Sequence, residues 1–233
     1  MTKPIFNLSY PNLKIEQSDE RFPVHRIYCV GRNYRAHTIE MGGDPERDVP
    51  FFFSKPADAA CQTTELPWPT KTNELHHEVE LVVAIAEVDY GDNEQLTLEQ
   101  SEQCIFAYAV GVDLTRRDLQ RAAKEKSRPW DTAKAFDFSA PLGNLVRASE
   151  WQPSSSSTIQ LSINDEIKQQ SNLDKLIWNI PELIKELSAY YRLQAGDLIF
   201  TGTPAGVGEI KIEDTVEAQI KGLPKLRFSF KKN

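Results

Sequence analysis

His76-His77-Glu78-Val79-Glu80-Leu81 runs straight into Val82-Val83-Ala84-Ile85-Ala86. An apolar, β-branched run of this kind predicts a buried strand. Side chains on a strand alternate faces, so Glu78 and Glu80 point the same way, about 7 Å apart along the chain. Two carboxylates on one face, at the mouth of an apolar strand, repel each other and resist burial. A shared divalent cation relieves both problems, and so does a position at a solvated strand end.

On the N-terminal side, residues 1–25 read as an arm, because Pro4, Pro11 and Pro23 rule out a long helix. Arg26–Val30 is a short strand, and Asn33 is placed to cap a helix over Tyr34–Met41. The loop Gly42–Pro50, rich in Gly, Pro and charge, has the composition of a lid hinge or of a plain connection. Phe51–Ser54 is a strand ending at Lys55-Pro56, and 57–74 is irregular. On the C-terminal side come a helix over Leu96–Gln103 and an apolar strand Cys104–Val112 that ends on Asp113. Thr115-x-x-Asp118 has the form of a capping box, predicting a helix from Arg116 to Lys126. Trp130–Pro141, which contains Lys134, reads as loop. Thr158–Ile163 and Ile167–Gln170 form a hairpin through Asn164-Asp165-Glu166. Pro181–Tyr191 is an amphipathic helix, Leu198–Thr201 a strand, and Thr215–Ile220 with Lys225–Phe230 a final hairpin. Gly202–Gly208 is glycine-rich but lacks the G-K-[ST] ending of a phosphate loop. Strands outnumber helices without alternating with them, which predicts one compact α+β domain over 26–233.

Composition narrows the function classes. A chain of 233 residues can bury a sizeable core. A formal charge of −7 with no Lys/Arg run argues against a nucleic-acid partner. Cys29, Cys61 and Cys104 are odd in number and widely spaced, which fits neither a disulfide framework nor a zinc site. No apolar stretch approaches the roughly 18 residues of a membrane span. Glu16, Asp19 and Glu20, with no apolar core before them, disfavour a targeting segment, so a cytoplasmic location is expected.

Asp113 supplies a third carboxylate at the end of a predicted buried strand. Three carboxylates without a nearby Cys make an all-oxygen set that suits Mg²⁺, Mn²⁺ or Ca²⁺. His76 or His77 could add a nitrogen ligand, although His77 is out of phase with Glu78 and Glu80. His37 and Glu40 lie at i and i+3, on one helical face, as do Arg117 and Gln120.

Six segments, in order, resemble the fumarylacetoacetate hydrolase superfamily. Gly31-Arg32-Asn33-Tyr34 with His37 and Glu40 resembles G-[KR]-N-Y-x-x-H-x-x-E, and Phe53-Ser54-Lys55-Pro56 resembles F-x-K-P. His77–Leu81 resembles H-E-x-E-L, Asp113–Gln120 resembles D-x-T-x-R-D-x-Q, and Lys134–Asp137 resembles K-x-F-D. Thr201–Gly208 is similar to T-G-T-P-x-G-V-G. Each motif is weak alone, but six in order are specific. Pro50–Ala59 and Glu40-Met41-Gly42 look most like the fumarylpyruvate hydrolase and acylpyruvase branch. The resemblance implies a mixed β-sheet roll or barrel with a few short helices, usually dimeric, with one Mg²⁺ or Mn²⁺. It implies Glu78, Glu80 and Asp113 as metal ligands. It further implies His37, oriented by Glu40, as general base and Lys134 as the charge that stabilises bound oxygens. Tyr34, Arg117, Gln120 and Thr203 are then substrate-binding, with Lys55 either an active-site neighbour or packed on Phe51–Phe53. The implied reaction is cleavage of the C3–C4 bond of a 2,4-dioxo acid, with fumarylpyruvate foremost. An oxaloacetate or β-keto-acid decarboxylase, a ring-cleavage-product isomerase and a non-catalytic metal-binding scaffold are the rivals. A second substrate carboxylate would call for a cation, for which Arg32, Arg35 and Arg47 are candidates.

Overall fold

The computed structural model describes residues 5, 10–40, 42 and 48–231. Arg47 and most of the expected lid hinge, 43–47, therefore lie outside the described residues, as do 1–4 and 6–9 of the N-terminal arm.

Val79–Ile85 is the centre of a six-stranded sheet with the order Val146–Arg147, Ile105–Val112, Val79–Ile85, Leu198–Phe200, Ile27–Gly31, Phe51–Lys55. All neighbours are antiparallel except Leu198–Phe200 with Ile27–Gly31. The unbroken apolar run has a simple cause: both faces of this strand are buried. Leu81, Val83 and Ile85 enter one core with Leu161, Val216 and Phe228. Val82 and Ala84 enter a second core with Leu13, Phe22, Leu142 and Phe200. Each such Val or Leu contributes about 1.5–3 kcal/mol by leaving water.

A five-stranded sheet covers the first core, in the order Glu166–Asn172, Thr158–Ile163, Thr215–Ile220, Leu226–Lys231, Glu65–Pro67. Its first hairpin turns on Asn164 and Asp165, both at positive φ (51° and 67°), as a two-residue type I′ turn requires. Helices are few and short, and no described helix is long and apolar enough to cross a membrane. The architecture is the expected mixed α+β one, with open sheets rather than a closed barrel.

Several local expectations fail, and at Asn33 and Asp118 the reason is that a partner distant in sequence outcompetes a local one. Asn33 caps nothing. Its carboxamide accepts from Trp178 N and donates to the Trp178 and Thr201 carbonyls. Thr115 and Asp118 form no capping box: Thr115 sits in a strand, and Asp118 accepts from Thr72 Oγ1 and Asn73 N. Residues 130–141 are not plain loop, because Lys134 ends a one-turn helix, Asp131–Lys134. Capping boxes form elsewhere instead, Thr97 with Gln100 and Asn179 with Glu182.

The decisive change is at Glu78. The expected single strand is two, Leu75–His77 and Val79–Ile85, with Glu78 between them. Leu75–His77 belongs to a three-stranded sheet with Thr115–Arg116 and Gly208–Ile210. The register nevertheless runs on across the break. Val79 faces Val112 on one side of it and His76 faces Thr115 on the other, with Asp113 N donating to the Glu78 carbonyl at 2.8 Å. Glu78 and Asp113 are thus cross-strand partners at the corner where two segments leave one sheet for another.

Candidate metal centre

Cross-strand partners carry their side chains side by side, and the corner turns those of Glu78 and Asp113 toward Glu80. Carboxylate oxygens of Glu78, Glu80 and Asp113 lie within 4.8 Å of one another, all buried. Lys134 Nζ donates to Glu78 Oε2 at 2.7 Å and to Asp113 Oδ2 at 2.6 Å. Lys55 Nζ lies 2.8 Å from Asp113 Oδ1 but off the hydrogen-bond direction, so that oxygen is buried without a donor. Lys55 instead donates to the carbonyls of Leu114 and Lys134, which places it beside the carboxylates rather than on Phe51–Phe53 alone. Arg117 Nη2 donates to Glu78 Oε1. Glu80 Oε2 accepts from Gly202 N at 2.6 Å. Gly202 has φ 102°, and a Cβ there would stand 2.7 Å from Asn33 Cβ, so this donor requires glycine.

The two glutamates of one motif are driven apart electrostatically. Burial pushes Glu78 up, but the Lys134 and Arg117 charges outweigh it and hold the carboxyl below the usual range. Burial, then the Asp113 and Glu78 carboxylates, push Glu80 well above it. Lys134 is lowered by burial and raised more by Asp113 and Glu78, for a net rise. Three carboxylates thus face three cations, and Glu80 is the one without a cation of its own. Three close oxygens, one of them without a donor, fit a hard divalent ion such as Mg²⁺, Mn²⁺ or Ca²⁺.

Neither candidate histidine belongs to that set. His77 Nδ1 donates to Gln169 Oε1 at 2.9 Å, and burial pushes its pKa down to about 4. His76 Nε2 donates to Glu74, and its Nδ1 accepts from Arg117 Nε at 3.3 Å. They anchor the neighbours of the carboxylates.

A narrow cavity of ≈ 40 Å³ opens above the carboxylates, with His37, Arg117, Gln120, Lys134 and Thr203 on its wall. A wider one of ≈ 350 Å³ adjoins it across Phe51, Phe53 and Trp130. His37 Nδ1 donates to Glu40 Oε2 at 3.1 Å, which leaves Nε2 with a free lone pair. Glu40 in turn accepts from Gly206 N at 3.1 Å. Gly206 has φ 94°, and a Cβ would come 2.1 Å from the Lys168 carbonyl, so here too only glycine fits. Gln120 Oε1 accepts from Arg117 Nη1 at 2.5 Å. Tyr34, expected to bind substrate, is off this wall. It is buried in the first core, its hydroxyl has no partner, and burial and then Glu80 raise its pKa.

Gln169 was not foreseen. Its Oε1 accepts from Val79 N (3.0 Å) and His77, while its Nε2 donates to Thr203 Oγ1 and the Pro204 carbonyl, both at 2.8 Å. Because Thr203 Oγ1 is held as an acceptor, its own proton is free for the cavity. Gln169 is the buried residue of an otherwise exposed stretch, Glu166–Gln170, so no hydrophobic pattern marks it. Lys124, also on the cavity wall, lay outside every motif, although it follows Arg117 by two helical turns.

Comparison with known proteins matches residues 26–231 to the family described as fumarylacetoacetate (FAA) hydrolase C-terminal. A fumarylpyruvate hydrolase of Ralstonia sp is 38% identical over 189 residues, 80% of this chain and 96% of that protein. An oxaloacetate tautomerase of Escherichia coli (strain K12) is 38% identical over 203 residues, 86% of this chain and 90% of that protein. The crystal structure of fumarylpyruvate hydrolase from Pseudomonas aeruginosa in complex with Mn²⁺ and pyruvate has a TM-score of 0.94 to this fold. It is 44% identical, over 99% of this chain and 100% of that one.

Proposed function

This chain belongs to the fumarylacetoacetate hydrolase family, and on that premise we propose that it is a divalent-metal-dependent enzyme hydrolysing the C3–C4 bond of an acylpyruvate, with fumarylpyruvate the leading substrate. The observation that carries this reading is the buried triad of Glu78, Glu80 and Asp113 with His37 on the wall of the same cavity. Relatives named for fumarylpyruvate hydrolysis, one of them holding Mn²⁺ and pyruvate, support it.

Glu78, Glu80 and Asp113 hold Mg²⁺ or Mn²⁺. When bound there, the ion would supply Lewis-acid chemistry for the negative charge that develops as C3–C4 breaks. Three carboxylates against Lys55, Lys134 and Arg117 leave the floor near neutral, so a dication gives it the positive charge an anionic dioxo acid needs. His37 Nε2 takes the proton of the water that attacks C4, and the Glu40 carboxylate keeps the ring aimed. Lys134 faces the oxygens that gain charge. Arg117, Gln120 and Thr203 orient the substrate, and the Thr203 hydroxyl does so as a donor.

A second reading stands on the Escherichia coli relative named an oxaloacetate tautomerase. Proton transfer on oxaloacetate, or its decarboxylation, uses the same floor but needs no attacking water. Metal-stripped protein reloaded with Mn²⁺ and assayed in parallel on fumarylpyruvate, acetylpyruvate and oxaloacetate separates the two. Hydrolysis fastest on an acylpyruvate is expected; turnover of oxaloacetate alone would replace hydrolysis with the second reading.

A further inference from the structure

Four cations line the cavity: Arg32, Arg117, Lys124 and Lys134. Two are committed, since Lys134 is paired with Glu78 and Asp113, and Arg117 with Glu78. Arg32 and Lys124 have no ion-pair partner among the described residues.

Their placement is built, not incidental. Lys124 lies on the helix Arg117–Glu125, at i+7 from Arg117 and i+4 from Gln120, so one face carries all three to the cavity. Its ammonium sits 5.0 Å from the centroid of the Trp130 ring, a cation–π seat that fixes the flexible stem. Arg121, on the same helix, turns away to pair with Glu74. Arg32 follows the strand Ile27–Gly31 with φ 59°, a left-handed conformation that is strained for a non-glycine residue. Strain of this kind collects at ligand sites. Burial lowers the Lys124 pKa, and the Arg117 and Arg32 charges lower it further against a smaller opposing effect of Glu78. Arg35 is off the cavity wall, whereas Arg32 is on it.

We infer that Arg32 and Lys124 form a subsite for a second carboxylate, at the acyl end of the substrate, so that the enzyme selects dianionic acylpyruvates over those with a neutral acyl group. This rests on the acylpyruvate reading above. Lys124 is then a specificity-determining residue, and Trp130 its support.

Two measurements test it. With Mn²⁺-loaded protein, the ratio of kcat/KM for fumarylpyruvate to that for acetylpyruvate should fall about 10–100-fold in Lys124→Met, mostly through KM, and further with Arg32→Gln added. Lys124→Arg should restore most of the ratio, which a merely structural role would not require. An unchanged ratio in Lys124→Met, whether both activities fall or neither does, overturns the inference. The second measurement needs no turnover: calorimetry with fumarate and with crotonate, its isostere carrying methyl in place of one carboxylate. Fumarate should bind at least about tenfold tighter, and Lys124→Met should erase the difference. Equal binding of the two acids by the unsubstituted protein overturns the subsite. Loss of both acylpyruvate activities with the fumarate preference intact would instead remove the hydrolase reading and keep the subsite.

Discussion

The floor of the cavity and its rim are built in different ways. On the floor, Glu78, Glu80 and Asp113 stand on or beside strands of two sheets, each tied to a lysine, an arginine or a backbone N–H, and all are buried. On the rim, His37 and Glu40 share a six-residue helix, and Glu40 is held from outside by the Gly206 N–H. Floor side chains are fixed by ladders and charge, whereas rim side chains are fixed by a few hydrogen bonds. The difference separates two jobs, holding an ion and moving a proton, so substitutions in the two regions should fail in different ways.

The largest expected effect is on the floor. Asp113→Ala leaves Lys55 and Lys134 buried without their shared carboxylate, at a cost of about 3–5 kcal/mol in stability. Mn²⁺ affinity and activity should be lost together, as calorimetry and denaturant unfolding would register. On the rim, His37→Ala should lower hydrolysis by about 10²–10⁴-fold while Mn²⁺ binds as before. A loss of Mn²⁺ affinity in that variant would erase the division between floor and rim.

Two smaller effects probe what supports the floor. The His77 imidazole takes its proton near pH 6.5 in the unfolded chain but only at about 4 in the folded one. Between those values only the unfolded chain gains a proton. Stability is therefore intact above pH 6.5 and falls as pH drops toward 4, by about 3 kcal/mol in all. Urea unfolding across that window should show the slope, and His77→Asn should flatten it. Gln169→Leu strands the Val79 N–H and the Pro204 carbonyl, costing about 1–3 kcal/mol, and releases the Thr203 hydroxyl. A tenfold rise in KM without a matching fall in kcat would show that Gln169 acts through substrate positioning.

The sequence made the floor more legible than the rim or the walls. Glu78, Glu80 and Asp113 stood out because carboxylates at the ends of apolar, β-branched runs conflict with their surroundings. The hairpin through Asn164-Asp165-Glu166 was legible because Asn and Asp favour such turns, although its turn is one residue shorter, with Glu166 already in the strand opposite Ile163. The break at Glu78 was not, since a strand that changes sheets without losing register keeps its alternation. Asn33, Thr115 and Asp118 misled because their local capping patterns lose to partners distant in sequence or to a strand position. Gln169 and Lys124 were invisible for a related reason. Each is a polar residue in a polar stretch, and only the folded chain shows what it faces.

The central claim is that this floor holds a divalent ion for hydrolysis with His37 as the base. The most direct measurement removes bound metal with chelator, restores Mn²⁺, and follows loss of the enol absorbance of fumarylpyruvate in the unsubstituted protein and in His37→Ala. Mn²⁺-dependent hydrolysis that collapses in His37→Ala, with Mn²⁺ still bound, is the result predicted. Hydrolysis that survives without metal, or that is unchanged in His37→Ala, would contradict it.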